Sequence, residues 1–108
     1  MEQLVRKRLD SINHGYKLST KVSGTSFVSQ PGKLTSVVSD SVEAVTGHKP
    51  EASTTGGTSD ARFIKDYCPV VEFGLISDTA HKTDENVAVD DIIALSEIYE
   101  LIIDKYLS

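Results

Sequence analysis

The 108-residue sequence predicts an α/β layer, and three observations carry that expectation. Apolar residues recur at three- and four-residue intervals over 34–45 and 92–106, the period of amphipathic helices. Alternation over 16–22 and a short apolar block over 70–73 have the character of strands. Stretches rich in Gly, Ser and Thr separate these runs, so helices and strands alternate along the chain.

Residues 3–13 read as a short helix with Leu4, Val5, Leu9 and Ile12 biased to one side, ended by His14 and Gly15. Tyr16, Leu18, Thr20 and Val22 then alternate with Lys17, Ser19 and Lys21, as in a half-buried strand. Between Ser23 and Lys33 the chain has two Gly and one Pro among several Ser and Thr, which makes a loop and a boundary. Pro31 stands near the start of the next helix, on which Leu34, Val37, Val38, Val42 and Val45 share a face, and Gly47 is its stop. Pro50 favours extended backbone, so 51–55 reads as a short strand leading into Gly56 and Gly57. Ser59 or Asp60 can cap a short helix through Tyr67. After a buried strand at 70–73 comes a loop over 74–86. Asp90 or Asp91 begins a broadly buried final helix, in which Ile92, Leu95, Tyr99, Ile102 and Tyr106 form one stripe.

The formal net charge of −5 argues against a nucleic-acid or anionic-membrane partner, since phosphate binding needs clustered Lys and Arg. Arg6, Lys7 and Arg8 are a short run that reads as a solvated helix face. No apolar run reaches the roughly 20 residues of a membrane span. A single cysteine, Cys68, precludes an internal disulfide and reads as a buried structural thiol. With no signal-like apolar segment at the start, the expected location is the cytoplasm.

Four features carry candidate chemistry. Gly56-Gly57-Thr58 before a helix start presents backbone N–H groups suited to a carboxylate or phosphate, or else is a turn needing positive φ. His81 lies in a polar loop leaving a strand, where α/β proteins place ligands, and reads either as a surface residue or as a metal ligand with Asp84 and Glu85 nearby. Arg62 can grip a substrate carboxylate or form a structural ion pair. Ser23-Gly24 either brings a hydroxyl into a cleft or is a bare turn. His14 and His48 read as capping or surface groups. There is no Ser-His-acid set and no CxxC pair, so no complete catalytic set is present.

Taken together, SGTSFVSQPGKL from Ser23, TTGGTSDARFI from Thr54, CPVVEFG from Cys68 and TAHKTDENVAVDDI from Thr79 resemble the C-terminal part of the two-zinc amidohydrolase and exopeptidase family. The likeness is to its succinyl-diaminopimelate desuccinylase branch; acetylornithine deacetylases and carboxypeptidase G are other members. It covers nearly the whole chain, with four blocks in order. It implies an α/β fragment of a two-zinc exopeptidase-like catalytic domain, preceded by the last helix and strand of an α+β lid domain. Residues 1–22 would end the lid or dimerisation domain, 23–30 would be the hinge loop, and 31–108 the C-terminal part of the catalytic domain.

The resemblance further implies that His81 is one zinc ligand and that Gly57, Thr58, Ser23 and Ser77 bind substrate. Ser77 stands where several desuccinylases have asparagine, and 63–70 is one residue shorter than in some relatives. The implied reaction is removal of succinate from N-succinyl-LL-2,6-diaminopimelate. Two zinc ions sharing a hydroxide polarise the amide carbonyl while a glutamate moves the proton. The HxD motif, the Glu-Glu pair and a further acidic ligand of the family lie upstream and do not occur here. The chain alone is therefore expected to be inactive and to bind zinc weakly. The complete enzyme is expected to be a homodimer acting on a small molecule. The competing expectations are an acetylornithine deacetylase-like segment and a non-catalytic, stand-alone association module.

Overall fold

The computed structural model describes residues 1–57 and 59–108. Among these residues four helices follow in order: α1 (Glu2–Asp10), α2 (Lys33–Thr46), α3 (Ala61–Ile64) and α4 (Val89–Leu107). Only α2 and α4 pack on each other among the described residues. Val38 and Val42 of α2 and Ile98 of α4 form the buried cluster, with Leu34, Val45, Val71, Phe73 and Ile102 packed around it. The pair is antiparallel: Lys33, opening α2, donates from Nζ to the Tyr106 carbonyl at 2.8 Å, near the end of α4. That ammonium also lies 4.8 Å from the centre of the Tyr106 ring. It thus meets both an aromatic face and the negative end of the α4 dipole.

Both ends of α2 follow from sequence. The Thr35 hydroxyl accepts from the Gly32 N–H at 2.7 Å, which satisfies a donor just outside the helix. At the other end Gly47 takes φ 74 and donates to the Glu43 carbonyl at 2.9 Å, the left-handed stop expected of glycine there. In α4 the acidic Asp90 and Asp91 occupy the first turn, one residue inside the Val89 start. There they complement the positive end of the dipole.

Residues 1–20 make a second, separate unit. Thr20 donates to Glu2 at 2.8 Å, Arg6 to the Leu18 carbonyl at 3.4 Å, and Tyr16 to Asp10 at 2.6 Å. An extended run therefore lies antiparallel along α1. The register fits the two geometries, because eight helical steps cover about 12 Å and four extended steps about 13 Å.

Three expectations need correcting. Residues 16–22, 51–55 and 70–73 are not strands, and no strand occurs among the described residues. A strand exists only where a neighbour exchanges backbone N–H and C=O groups with it. Here 16–20 lies against a helix, while 70–73 is held by side chains instead. Cys68 is exposed, not buried, because it falls in the turn that closes α3. Only one arc of α4 is covered: Ile98 is 3% exposed, while Ile103 and Leu107 are 58% and 77% exposed.

The molecule is open. Its accessible surface is 9157 Å², against about 5,900 Å² for a compact protein of its mass. Its radius of gyration is 19.3 Å, against about 13 Å for a compact domain of this length. No helix is long and apolar enough to cross a membrane among the described residues.

Candidate functional site

The candidate residues lie on three segments: the loop before α2, the stretch ahead of α3, and the loop that follows the extended run 70–73. That run is held from three directions. The Ser29 hydroxyl, in the loop before α2, donates to the Val70 carbonyl at 2.5 Å. The Tyr99 hydroxyl of α4 donates to the Phe73 carbonyl at 2.8 Å. Between them the Ser59 hydroxyl, just ahead of α3, donates to the Glu72 carboxylate. Ser59 Oγ also accepts from the Ala61 N–H at 3.1 Å, so it supports the helix start while binding the run.

Arg62, on α3, reaches the loop that carries Ser23. A Cβ built on Gly24 would lie 2.8 Å from Arg62 Cδ and 3.6 Å from its Cγ. A side chain at position 24 would have to push the Arg62 stem aside. The guanidinium of Arg62 also stacks over the adjacent Phe63 ring, 4.5 Å from its centre.

Gly57 is exposed, and nothing lies within 4 Å of where its Cβ would stand. Gly47 is the only glycine with positive φ among the described residues, so the Gly56-Gly57 pair does not make the positive-φ turn. Its absent side chains leave open space beside the backbone, which suits approach by a ligand. Thr58, the other half of this expected substrate turn, lies outside the described residues.

The His81 loop is clasped at its base. Thr79 Oγ1 donates to the Asn86 carbonyl at 2.9 Å and accepts from the Asn86 N–H at 3.1 Å. Inside the clasp Ala80 N–H donates to the Ser77 carbonyl at 3.1 Å, and Lys82 N–H to the Thr79 carbonyl at 3.0 Å. The tight path drives His81 to φ 62 and Asp84 to φ 59, the left-handed region that non-glycine residues seldom occupy. His81 is exposed at the tip, and Ser77 lines a cavity of about 350 Å³ with Leu75, Ile76, Thr79 and Glu85. A larger groove of about 500 Å³ lies between 27–35, the loop and start of α2, and the segment 65–71, with Tyr106 of α4 also lining it, and shares no lining residue with the first.

The structure thus joins Ser77 and His81 in one loop and seats the Ser23-Gly24 turn on Arg62. It does not assemble a metal centre. Among the described residues no group of three or more His, Cys, Asp or Glu side chains stands close enough to hold an ion, so Asp84 and Glu85 do not complete a site with His81. The described residues by themselves do not fit a zinc ion, which needs three or four protein ligands. Glu72, Asn86 and Ser29 carry the support and were not marked in the sequence. Their partners are distant or backbone groups, and composition gives no sign of them.

A family model, peptidase family M20/M25/M40, matches residues 5–105. The chain belongs to peptidase family M20/M25/M40. This family comprises metal-dependent hydrolases. The chain is 48% identical over 106 residues to the succinyl-diaminopimelate desuccinylase of Rhodospirillum centenum, covering 98% of this chain and 28% of that protein. It is 53% identical over 103 residues to the enzyme of the same name from Xanthobacter autotrophicus, covering 94% and 28%. A third, from Ehrlichia canis, is 52% identical over 95 residues, covering 88% and 25%. The M20/M25/M40 chain therefore spans about a quarter of the length of these relatives.

Proposed function

We propose that residues 1–108 are the C-terminal part of a zinc-dependent amide hydrolase that removes succinate from N-succinyl-LL-2,6-diaminopimelate, in lysine and diaminopimelate biosynthesis. The observation that carries this reading is identity of about half the positions over nearly the whole chain to enzymes of that name. In the complete enzyme His81 supplies one ligand to one of two zinc ions, and the others come from outside this chain. Its left-handed backbone supports that assignment, because such conformations persist where surrounding structure holds them and cluster at ligand sites. Gly57, Thr58, Ser23 and Ser77 contact substrate from the three segments. Arg62 and Glu72 support them.

The same reading divides the chain into the end of a lid domain at 1–22, a hinge loop at 23–30, and the end of a catalytic domain at 31–108. The self-contained α1 unit and the lone loop after it support that division. It also makes 70–73 a strand of an α/β sheet once its neighbours are supplied. The uncovered arc of α4 and the large open surface support a missing neighbour. The complete enzyme is then a cytoplasmic homodimer, and this chain alone is inactive.

Desuccinylation and zinc binding test the proposal together. The 108-residue chain is expected to show no turnover with added zinc. In the protein extended upstream to include an HxD motif and a Glu-Glu pair, His81→Ala should lower zinc affinity by at least the roughly 10–100-fold typical of losing a supporting partner. Equal zinc affinity of wild type and variant would remove the metal role. Absence of both upstream motifs would remove the enzyme. A stand-alone association module draws on the same open surface, and it would instead show as a stable oligomer of this chain in size-exclusion chromatography.

A further inference from the structure

The start of α3 is where separate parts of the candidate site touch. Ser59 reaches the run 70–73 through Glu72, and Arg62 reaches the hinge loop through Gly24, 38 positions away in sequence. Gly57 lies two residues before Ser59, and the run continues from Phe73 into the loop of Ser77 and His81. Two short links therefore meet within four residues, one to the Ser23 loop and one to the segment that leads to His81. Neither Ser59 nor Arg62 needs to touch a reacting atom for this arrangement to matter.

We infer that Ser59 and Arg62 are positioning residues, whose contacts with Glu72 and Gly24 set the Ser23 loop in register with the His81 segment. This rests on the proposed function for the identity of the substrate. The physical basis is separable from it. Gly24 has no side chain, so the carbon stem of Arg62 packs against the loop backbone and fixes how near Ser23 comes to α3. The Ser59 hydroxyl accepts from Ala61 N–H while donating to Glu72, so a shift of the run is transmitted to the helix start. Because these contacts orient groups that bind substrate and leave the metal ligands in place, their loss falls on KM rather than kcat.

Two measurements test it. In the 108-residue chain with Cys68→Ser, the pair Gly24→Cys and Arg62→Cys is oxidised in a glutathione buffer, in native conditions and in urea. The sulfur introduced at position 62 replaces Cγ, which lies 3.6 Å from the Cβ position of residue 24, against the ~3 Å that a disulfide places between them. Disulfide formation is expected to be at least tenfold more favourable in native buffer. Equal formation in urea would overturn the junction. In the complete enzyme, Arg62→Ala and Ser59→Ala are expected to raise KM for the succinylated amine about tenfold, with kcat within threefold and zinc content unchanged. Ser59→Thr should restore KM to within twofold, because it keeps the hydroxyl. Unchanged KM, or loss of zinc with activity, would overturn the positioning role. Inactivity of the wild-type enzyme would remove the substrate role together with the proposed function, while native disulfide trapping would show that the junction itself stands.

Discussion

The α2–α4 pair and the α1 unit are held by different forces. The first buries Val38, Val42 and Ile98 between two helices and is stabilised by removing apolar surface from water. The second has no fully buried residue, with Leu9, Tyr16 and Leu18 only half-buried, and leans on side-chain hydrogen bonds and one exposed ion pair, Arg6 to Glu2 at 2.9 Å. Exposed pairs contribute only about 0–1 kcal/mol each, so the α1 unit stays ordered only weakly by itself. The two regions of one chain therefore answer differently to substitution and to pH. The candidate site hangs on the stronger of them, through Tyr99 and the run 70–73.

The largest expected effect is at Ile98. Truncating a buried Ile to Ala costs about 2–5 kcal/mol through lost transfer energy and the cavity left behind. Ile98→Ala should therefore separate α2 from α4 and release 70–73, with loss of helical circular dichroism and a lower denaturant midpoint. Resonances of residues 1–20 should stay where they are. A variant with an unchanged midpoint would show that this small cluster is not what holds the pair.

Gly47 gives the next effect. Nothing lies within 4 Å of a Cβ placed there, so the cost of Gly47→Ala is purely the left-handed backbone at φ 74. That cost is about 1 kcal/mol. Thermal unfolding of the α2–α4 pair should register it, and a stability equal to wild type would mean that the helix end rearranges freely.

What was legible in the sequence divides along the same physical line. Helix α2 and its Gly47 stop could be read because a helix closes its hydrogen bonds within a few residues, leaving a local pattern. The runs 16–22, 51–55 and 70–73 carry strand-like patterns too, yet a ladder depends on a partner that no local pattern reveals. The position of His81 in a polar loop was visible. Its φ of 62 was not, because the clasp that imposes it joins Thr79 to Asn86, seven positions on. Nor did Arg62 betray its contact with Gly24, since nothing in either neighbourhood points to the other.

Ser41 sharpens the comparison from inside the apolar pair. It is fully buried on α2, and its hydroxyl has no hydrogen-bond partner among the described residues. A buried unsatisfied hydroxyl is a net cost, so Ser41→Ala is expected to raise stability by up to about 1 kcal/mol. Chemical denaturation decides it, and a destabilised variant would show that the hydroxyl is bonded in solution.

The smallest effect is confined to the α1 unit and appears as its response to pH. Hydrogen bonds from Thr20 and Arg6 hold the Glu2 carboxyl below the usual carboxylate range. A lowered folded value means that Glu2 contributes fully above its ordinary range, and the contribution is lost as pH falls through the lowered value. Donation to Asp10 pushes the Tyr16 phenol above its ordinary value. A raised folded value means that this contribution is complete below the ordinary phenol range and is lost as pH rises through the raised value. Residues 1–20 should therefore keep their resonances at neutral pH and shift toward coil positions in strong acid and strong alkali. Tyr16→Phe should abolish the alkaline shift alone. The Glu2 and Tyr16 contacts lie apart from the cluster of Val38, Val42 and Ile98, so Tyr16→Phe should leave the signals of that cluster unchanged at every pH. A variant that moves both regions would show that the α1 unit and the helix pair unfold together, despite being held by different forces.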